Sequence, residues 1–160
     1  MPARNEHVVA IMLEPVSMGQ EFIDWPLHIT IVPWFPCGDA KKLDRILTDA
    51  AGTQAGFSLE VGKIEKFGPK KNIKVNLMKE SPMLDKLHWN IFNVLEKNSF
   101  GIHQKEYVGD GYRPHITYQP HGHSSPGDQF QVKFFTLIKQ IRQKKTGTMV
   151  KSAVKDYRLG

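Results

Sequence analysis

The stretch Pro26-Leu27-His28-Ile29-Thr30-Ile31 decides the reading of this chain, because its centre returns 87 residues later as Pro114-His115-Ile116-Thr117-Tyr118. With seven histidines in 160 residues, random placement yields roughly 0.3 His-x-Thr strings. Both strings follow a proline and both read as apolar, β-branched strands. Side chains alternate across a strand, so His28 and Thr30 project from one face while Ile29 and Ile31 pack on the other, and His115 and Thr117 repeat the arrangement. A single such histidine is usually a satisfied structural group. Two of them, one in each half, point to a shared site. Facing across a groove between two sheets, two imidazoles and two hydroxyls would cradle a tetrahedral phosphate. The hydroxyls donate to non-bridging oxygens, a neutral imidazole takes a proton from an attacking oxygen, and an imidazolium protonates the leaving one.

Outward from these strings the chain reads as strands and helices in alternation. His7 to Glu14 and Leu27 to Phe35 are predicted strands. Asp39 caps a helix whose apolar positions Leu43, Ile46, Leu47 and Ala50 keep helical spacing up to Gly52. Phe57, Leu59 and Val61, then Ile73, Val75 and Leu77, alternate as a hairpin with the basic tip Gly68-Pro69-Lys70-Lys71-Asn72. Ser81-Pro82 opens a second helix carrying Leu84, Leu87, Ile91 and Leu95, running to Gly101. Arg113 to Gln119, Phe130 to Arg142 and Thr148 to Tyr157 read as strands, with residues 121–127 as a surface loop. The pattern predicts an α+β fold over residues 1–160, a single domain built from two similar halves.

Composition narrows the class. Hydrophobic residues make up 40% and charged residues 24%, a globular balance that excludes collagen-like and disordered chains. The longest aliphatic run, Val8 to Leu13, is far short of the ~20 residues of a membrane span and follows Arg4, Glu6 and His7 rather than a basic signal head. The lone Cys37 rules out an internal disulfide or a cysteine-rich zinc site, and with the absent span it suggests the cytoplasm. The net charge of +6, gathered mid-chain and near the C-terminal end, favours anionic partners.

The two motifs, the helix after the first and before the second, and the closing Tyr157-Arg158-Leu159 together resemble the 2H phosphoesterase superfamily, and within it the 2′-5′ RNA ligase-like cyclic phosphodiesterases. The resemblance implies two lobes related by a pseudo-twofold, each with an antiparallel sheet and helix, and an active groove between them that needs neither metal nor cofactor. It implies His28 and His115 as catalytic, with His28 acid to the leaving oxygen and His115 base to water, and Thr30 and Thr117 as phosphate-binding. Substrates would be RNA ends or nucleotides bearing 2′,3′-cyclic or 2′-5′ phosphodiesters, taken by a monomer. Many relatives carry an arginine just after the second motif, where this chain has Tyr118-Gln119-Pro120.

Trp34 continues the His28 face by alternation and, like Tyr118, is a candidate to stack on a base. Lys70 and Lys71 are candidate phosphate contacts from the hairpin tip. Two other readings compete: an RNA-end binding protein without catalysis, using the same cleft, and a metallohydrolase built on His115, His121 and His123. His88, four residues from Leu84 on the apolar helix face, is expected to pack rather than react.

Overall fold

Apolar side chains at every second position settle which face of each strand is covered. The structure, a computed structural model, describes residues 5–160, so Arg4 lies outside the described residues. Its strands are β1 (Glu6–Met12), β2 (Glu21–Phe22), β3 (His28–Pro36), β4 (Phe57–Phe67), β5 (Ile73–Met78), β6 (His115–Thr117), β7 (Gln129–Val132), β8 (Phe134–Arg142) and β9 (Met149–Arg158). They form one strongly curled antiparallel sheet in the order β2-β9-β8-β1-β3-β6-β5-β4-β7. Helices α1 (Ala40–Gly52) and α2 (Pro82–Lys97) complete the α+β fold.

The helix starts lie where their caps put them. Asp39 accepts a hydrogen bond from the Lys42 amide at 3.0 Å, and Ser81 from the Leu84 amide at 3.1 Å, each satisfying a first-turn donor that has no partner within the helix. Leu43, Ile46 and Leu47 of α1 and Leu84, Leu87, Ile91 and Leu95 of α2 are buried against Val9, Ile11, Ile29, Ile31 and Ile116 of the sheet. Each such side chain contributes about 1.5–3 kcal/mol through burial. The isoleucine face of both motif strands is therefore the covered face, and the histidine face is left for the groove.

Three features depart from the sequence reading. The motifs are not on separate sheets: β3 and β6 are neighbours in one sheet, joined at the single pair Ile29 and Ile116. Five strands, β2-β9-β8-β1-β3, lie on one side of that contact and four, β6-β5-β4-β7, on the other. The predicted strand from Phe130 to Arg142 is two strands at distant places in the sheet, because β7 pairs with β4 whereas β8 pairs with β1 and β9. Lys133 between them gives its carbonyl to the Leu159 amide, which releases the chain from one partner and delivers it to another. The second helix ends at Lys97 rather than Gly101, with Ser99 at a positive φ of 61° turning the chain away. Among the described residues no helix is long and apolar enough to cross a membrane.

One buried group on the helix side gives the fold a pH dependence. His7 is 8% exposed and lies 6.1 Å from the Phe35 ring. Burial, reinforced by the Lys139 charge and opposed by a backbone hydrogen bond at Asn5, lowers its pKa to about 4. Between that value and the ordinary 6.5 the unfolded chain binds the extra proton, so stability present above pH 6.5 is lost as pH falls toward 4. His7→Phe removes this titration and is expected to gain about 2 kcal/mol over the parent at pH 5 relative to pH 7.5, or roughly 4–8 °C in Tm. Parallel Tm curves for the two proteins from pH 7.5 to 5 would refute this role of His7.

Candidate active site

The pairing of Ile29 with Ile116 places four other side chains. In an antiparallel ladder the neighbours of a facing pair also face each other, so His28 lies beside Thr117 and Thr30 beside His115. Ile29 and Ile116 are both fully buried on the helix side, and the quartet therefore projects from the opposite face. The histidines occupy a diagonal of this rectangle, with Cβ atoms about 7–8 Å apart by strand geometry. That spacing leaves room for one phosphate between the rings.

Both rings are held the same way. His28 Nδ1 lies 2.9 Å from the Pro26 carbonyl, and His115 Nδ1 lies 2.8 Å from the Arg113 carbonyl. A carbonyl only accepts, so each Nδ1 carries the hydrogen, and each neutral ring offers the lone pair of Nε2 to the groove. The proline or arginine two residues earlier thus sets the tautomer. In both motifs, the strand entry is part of the site.

The surroundings differ between the two rings. The Trp25 indole stacks on His28 with centroids 4.0 Å apart, and the Lys151 ammonium sits 5.5 Å over Trp25 while donating to the Ile23 carbonyl. Burial lowers the His28 pKa to about 4; its Pro26 hydrogen bond opposes this, and the charges of His115 and Lys151 add to it. Around His115 the neighbour is the edge of Phe67 at 4.7 Å, itself covered by the Arg113 guanidinium, which also pairs with Glu65. Its pKa is lowered too, by burial first and then by the Arg113 charge, against the Arg113 carbonyl hydrogen bond.

Behind β3, two side chains hold consecutive backbone carbonyls. Tyr112 donates its hydroxyl to the Thr30 carbonyl at 2.8 Å, and His88 Nδ1 donates to the Ile31 carbonyl at 2.7 Å. His88 is fully buried and stacked on Tyr112 at 3.9 Å, and its Nε2 accepts the Gly109 amide. It packs, as its helix position predicts, and it also fixes the strand that carries the first motif.

The remaining candidates fall into different places. Trp34 packs with Trp25, Val8 and Ile138 and lies 6.1 Å from Trp25, one ring removed from His28. Tyr118, one step past Thr117, turns to the other face, where His123 stacks on it at 4.4 Å and the Lys74 ammonium covers it at 4.8 Å. Lys70 and Lys71 are exposed on the turn that follows Phe67, with Lys71 at a φ of 49°. His121 is bound by Glu14 at 2.8 Å, which separates it from His123, and no three metal-binding side chains converge among the described residues. The sequence reading did not single out Lys151 or Phe67. Lys151 lies 123 positions beyond His28, and no local pattern joins them.

The family model described as the 2′-5′ RNA ligase superfamily matches residues 11–144. No curated protein matches the chain. Among solved structures, Escherichia coli LigT complexed with 3′-AMP is 18% identical with a TM-score of 0.65, covering 99% of each chain. TT0787 of Thermus thermophilus is 15% identical with a TM-score of 0.65, covering 96% of this chain and 97% of that one. Kluyveromyces marxianus Usb1 is 10% identical at a TM-score of 0.53, covering 98% and 99%. At these identities the structures speak for the fold alone. The family match spans most of the chain and includes both His-x-Thr strands, and on that ground the chain belongs to the 2′-5′ RNA ligase superfamily of 2H phosphoesterases.

Proposed function

We propose that the chain is a phosphodiesterase that opens 2′,3′-cyclic or 2′-5′ phosphodiesters of RNA or nucleotides by two-histidine acid and base catalysis without a metal. The observation that carries the reading is the matched pair of Nδ1 contacts, which leaves the Nε2 lone pair of each ring free on the strand face that Thr30 and Thr117 share. In hydrolysis of a cyclic ester, one Nε2 removes a proton from water as its oxygen bonds to phosphorus. The bond from phosphorus to a ribose oxygen breaks, and the other ring gives that oxygen its proton. Thr30 and Thr117 donate to the non-bridging oxygens, whose charge grows in the transition state.

With a single proton on the pair, His115, whose neighbour Arg113 is paired with Glu65, holds it and His28 is the base, the reverse of the order the family resemblance suggests. The environment of His28 supports this order, since an imidazolium there would face Lys151 and lose solvation against Trp25.

The test is an oligonucleotide ending in a 2′,3′-cyclic phosphate, followed by phosphorus NMR with and without EDTA. The expected result is conversion to a phosphomonoester at the same rate in both samples. Turnover abolished by EDTA and restored by zinc or manganese would replace this reading with metal-assisted hydrolysis. Binding without conversion would leave an RNA-end binding protein.

A further inference from the structure

A cavity of about 290 Å³ opens on the histidine side of the sheet, lined by Met12, Glu14, Val16, Phe134, Thr136 and Asp156 among others. Its place follows from the ladder. Met12 pairs with His28, Ala10 pairs with both Thr30 and Thr136, and Thr136 pairs with Asp156. Alternation then sets Met12, Thr136 and Asp156 on the face of the catalytic quartet, on the first, second and third strands from β3. At about 4.8 Å per strand, β1 and β8 lie within a nucleoside's length of His28, and the volume is near the lower end of small-molecule sites, about 300–1,000 Å³.

The walls are of two kinds. Phe134, Val16 and Met12 are apolar, and Phe134 is 39% exposed, a ring face with solvent access. The same cavity is lined by two carboxylates with spare capacity. The Leu27 amide and His121 both use Oε1 of Glu14, and the Thr136 hydroxyl uses Oδ1 of Asp156 at 2.6 Å. Oε2 and Oδ2 are left without a protein partner among the described residues. Thr136 is 1% exposed and anchors Asp156 from within. Two carboxylates repel a second phosphate; they suit an uncharged group rich in N–H donors, and the apolar wall suits a flat ring.

We propose that this cavity receives the nucleoside attached to the reacting phosphate and favours bases that carry an exocyclic amine, such as adenine, over uracil. The inference rests on the phosphodiesterase reading for the identity of the substrate, but the cavity can be tested without turnover. Uracil presents a carbonyl where adenine presents an amine, so the free carboxylate oxygens attract one and repel the other.

The experiment follows backbone amide shifts of the whole chain on titration with adenosine, uridine and inorganic phosphate in separate samples. Adenosine is expected to move the amides of Val16, Ser17 and Phe134 and to bind about tenfold more tightly than uridine, equivalent to about 1.4 kcal/mol. Phe134→Ala should weaken adenosine about tenfold and leave phosphate unchanged. Asp156→Asn, which keeps an acceptor for Thr136 and turns the free oxygen into a donor, should remove the preference for adenosine over uridine. Adenosine shifts centred on Trp25 and Trp34, equal affinity for the two nucleosides, or no response to adenosine would overturn the proposal. Phosphate shifts at Thr30 and Thr117 report on the quartet independently, so a failed cavity and a failed phosphodiesterase reading give different patterns.

Discussion

Replacing His28 or His115 with alanine is expected to lower kcat about 10²–10⁴-fold on a 2′,3′-cyclic phosphate, the usual cost of losing a positioned acid or base. The double variant should lose less than the product of the two, because the rings act on one proton inventory. The roles separate with a leaving group that needs no protonation. On a p-nitrophenyl phosphodiester, His115→Ala should recover most of its loss while His28→Ala should not, if His28 takes the proton from water. Recovery by His28→Ala instead would restore the order the family resemblance suggests. Because burial lowers both rings, the bell in kcat/KM should centre on the acid side of about 6.5, the ordinary imidazole value. The two limbs belong to the pair, not to one residue. A flat profile from pH 5 to 9 with chemistry rate-limiting, or full activity in His115→Ala, sinks the two-histidine mechanism.

The sequence disclosed the quartet because alternation is a local property: two residues apart on a strand means the same face, whatever the strand pairs with. Asp39 and Ser81 disclosed the helix starts for the same reason, since a cap acts within three residues. Pairing is not local. That β3 and β6 would lie edge to edge, with His28 beside Thr117, depends on a contact 87 positions apart, and β6 has only three residues to signal it. The break at Lys133 was hidden because apolar and β-branched residues continue on both sides, so composition alone joins β7 to β8. Trp25 stands three residues before His28, a spacing that strand alternation does not relate, and the loop between β2 and β3 folds its indole onto the ring.

His88→Phe is expected to destabilise the fold by about 3 kcal/mol, a fall of roughly 6–12 °C in Tm. The phenyl ring keeps the stack between Tyr112 and Phe92 and fills the same space, so the loss comes from two backbone groups. Without the imidazole, the Ile31 carbonyl and the Gly109 amide are both deprived of a partner in a buried setting. Leaving such groups unpaired costs about 1–3 kcal/mol each. His88 is neutral in this arrangement, since Nδ1 donates and Nε2 accepts, and its pKa is lowered by burial. The consequence reaches the active site because Ile31 adjoins Thr30, and a displacement of about 1 Å in a catalytic group can cost 10²-fold. The kcat of His88→Phe should therefore fall at least tenfold at a temperature where the protein remains folded. Tyr112→Phe, which loses one hydrogen bond to the Thr30 carbonyl, should cost about 1 kcal/mol and remains measurable if the first variant fails to fold. Parental Tm and kcat in both variants would mean that the carbonyls of β3 do not depend on these partners, and that the histidine strand is held by its pairing with β1 and β6.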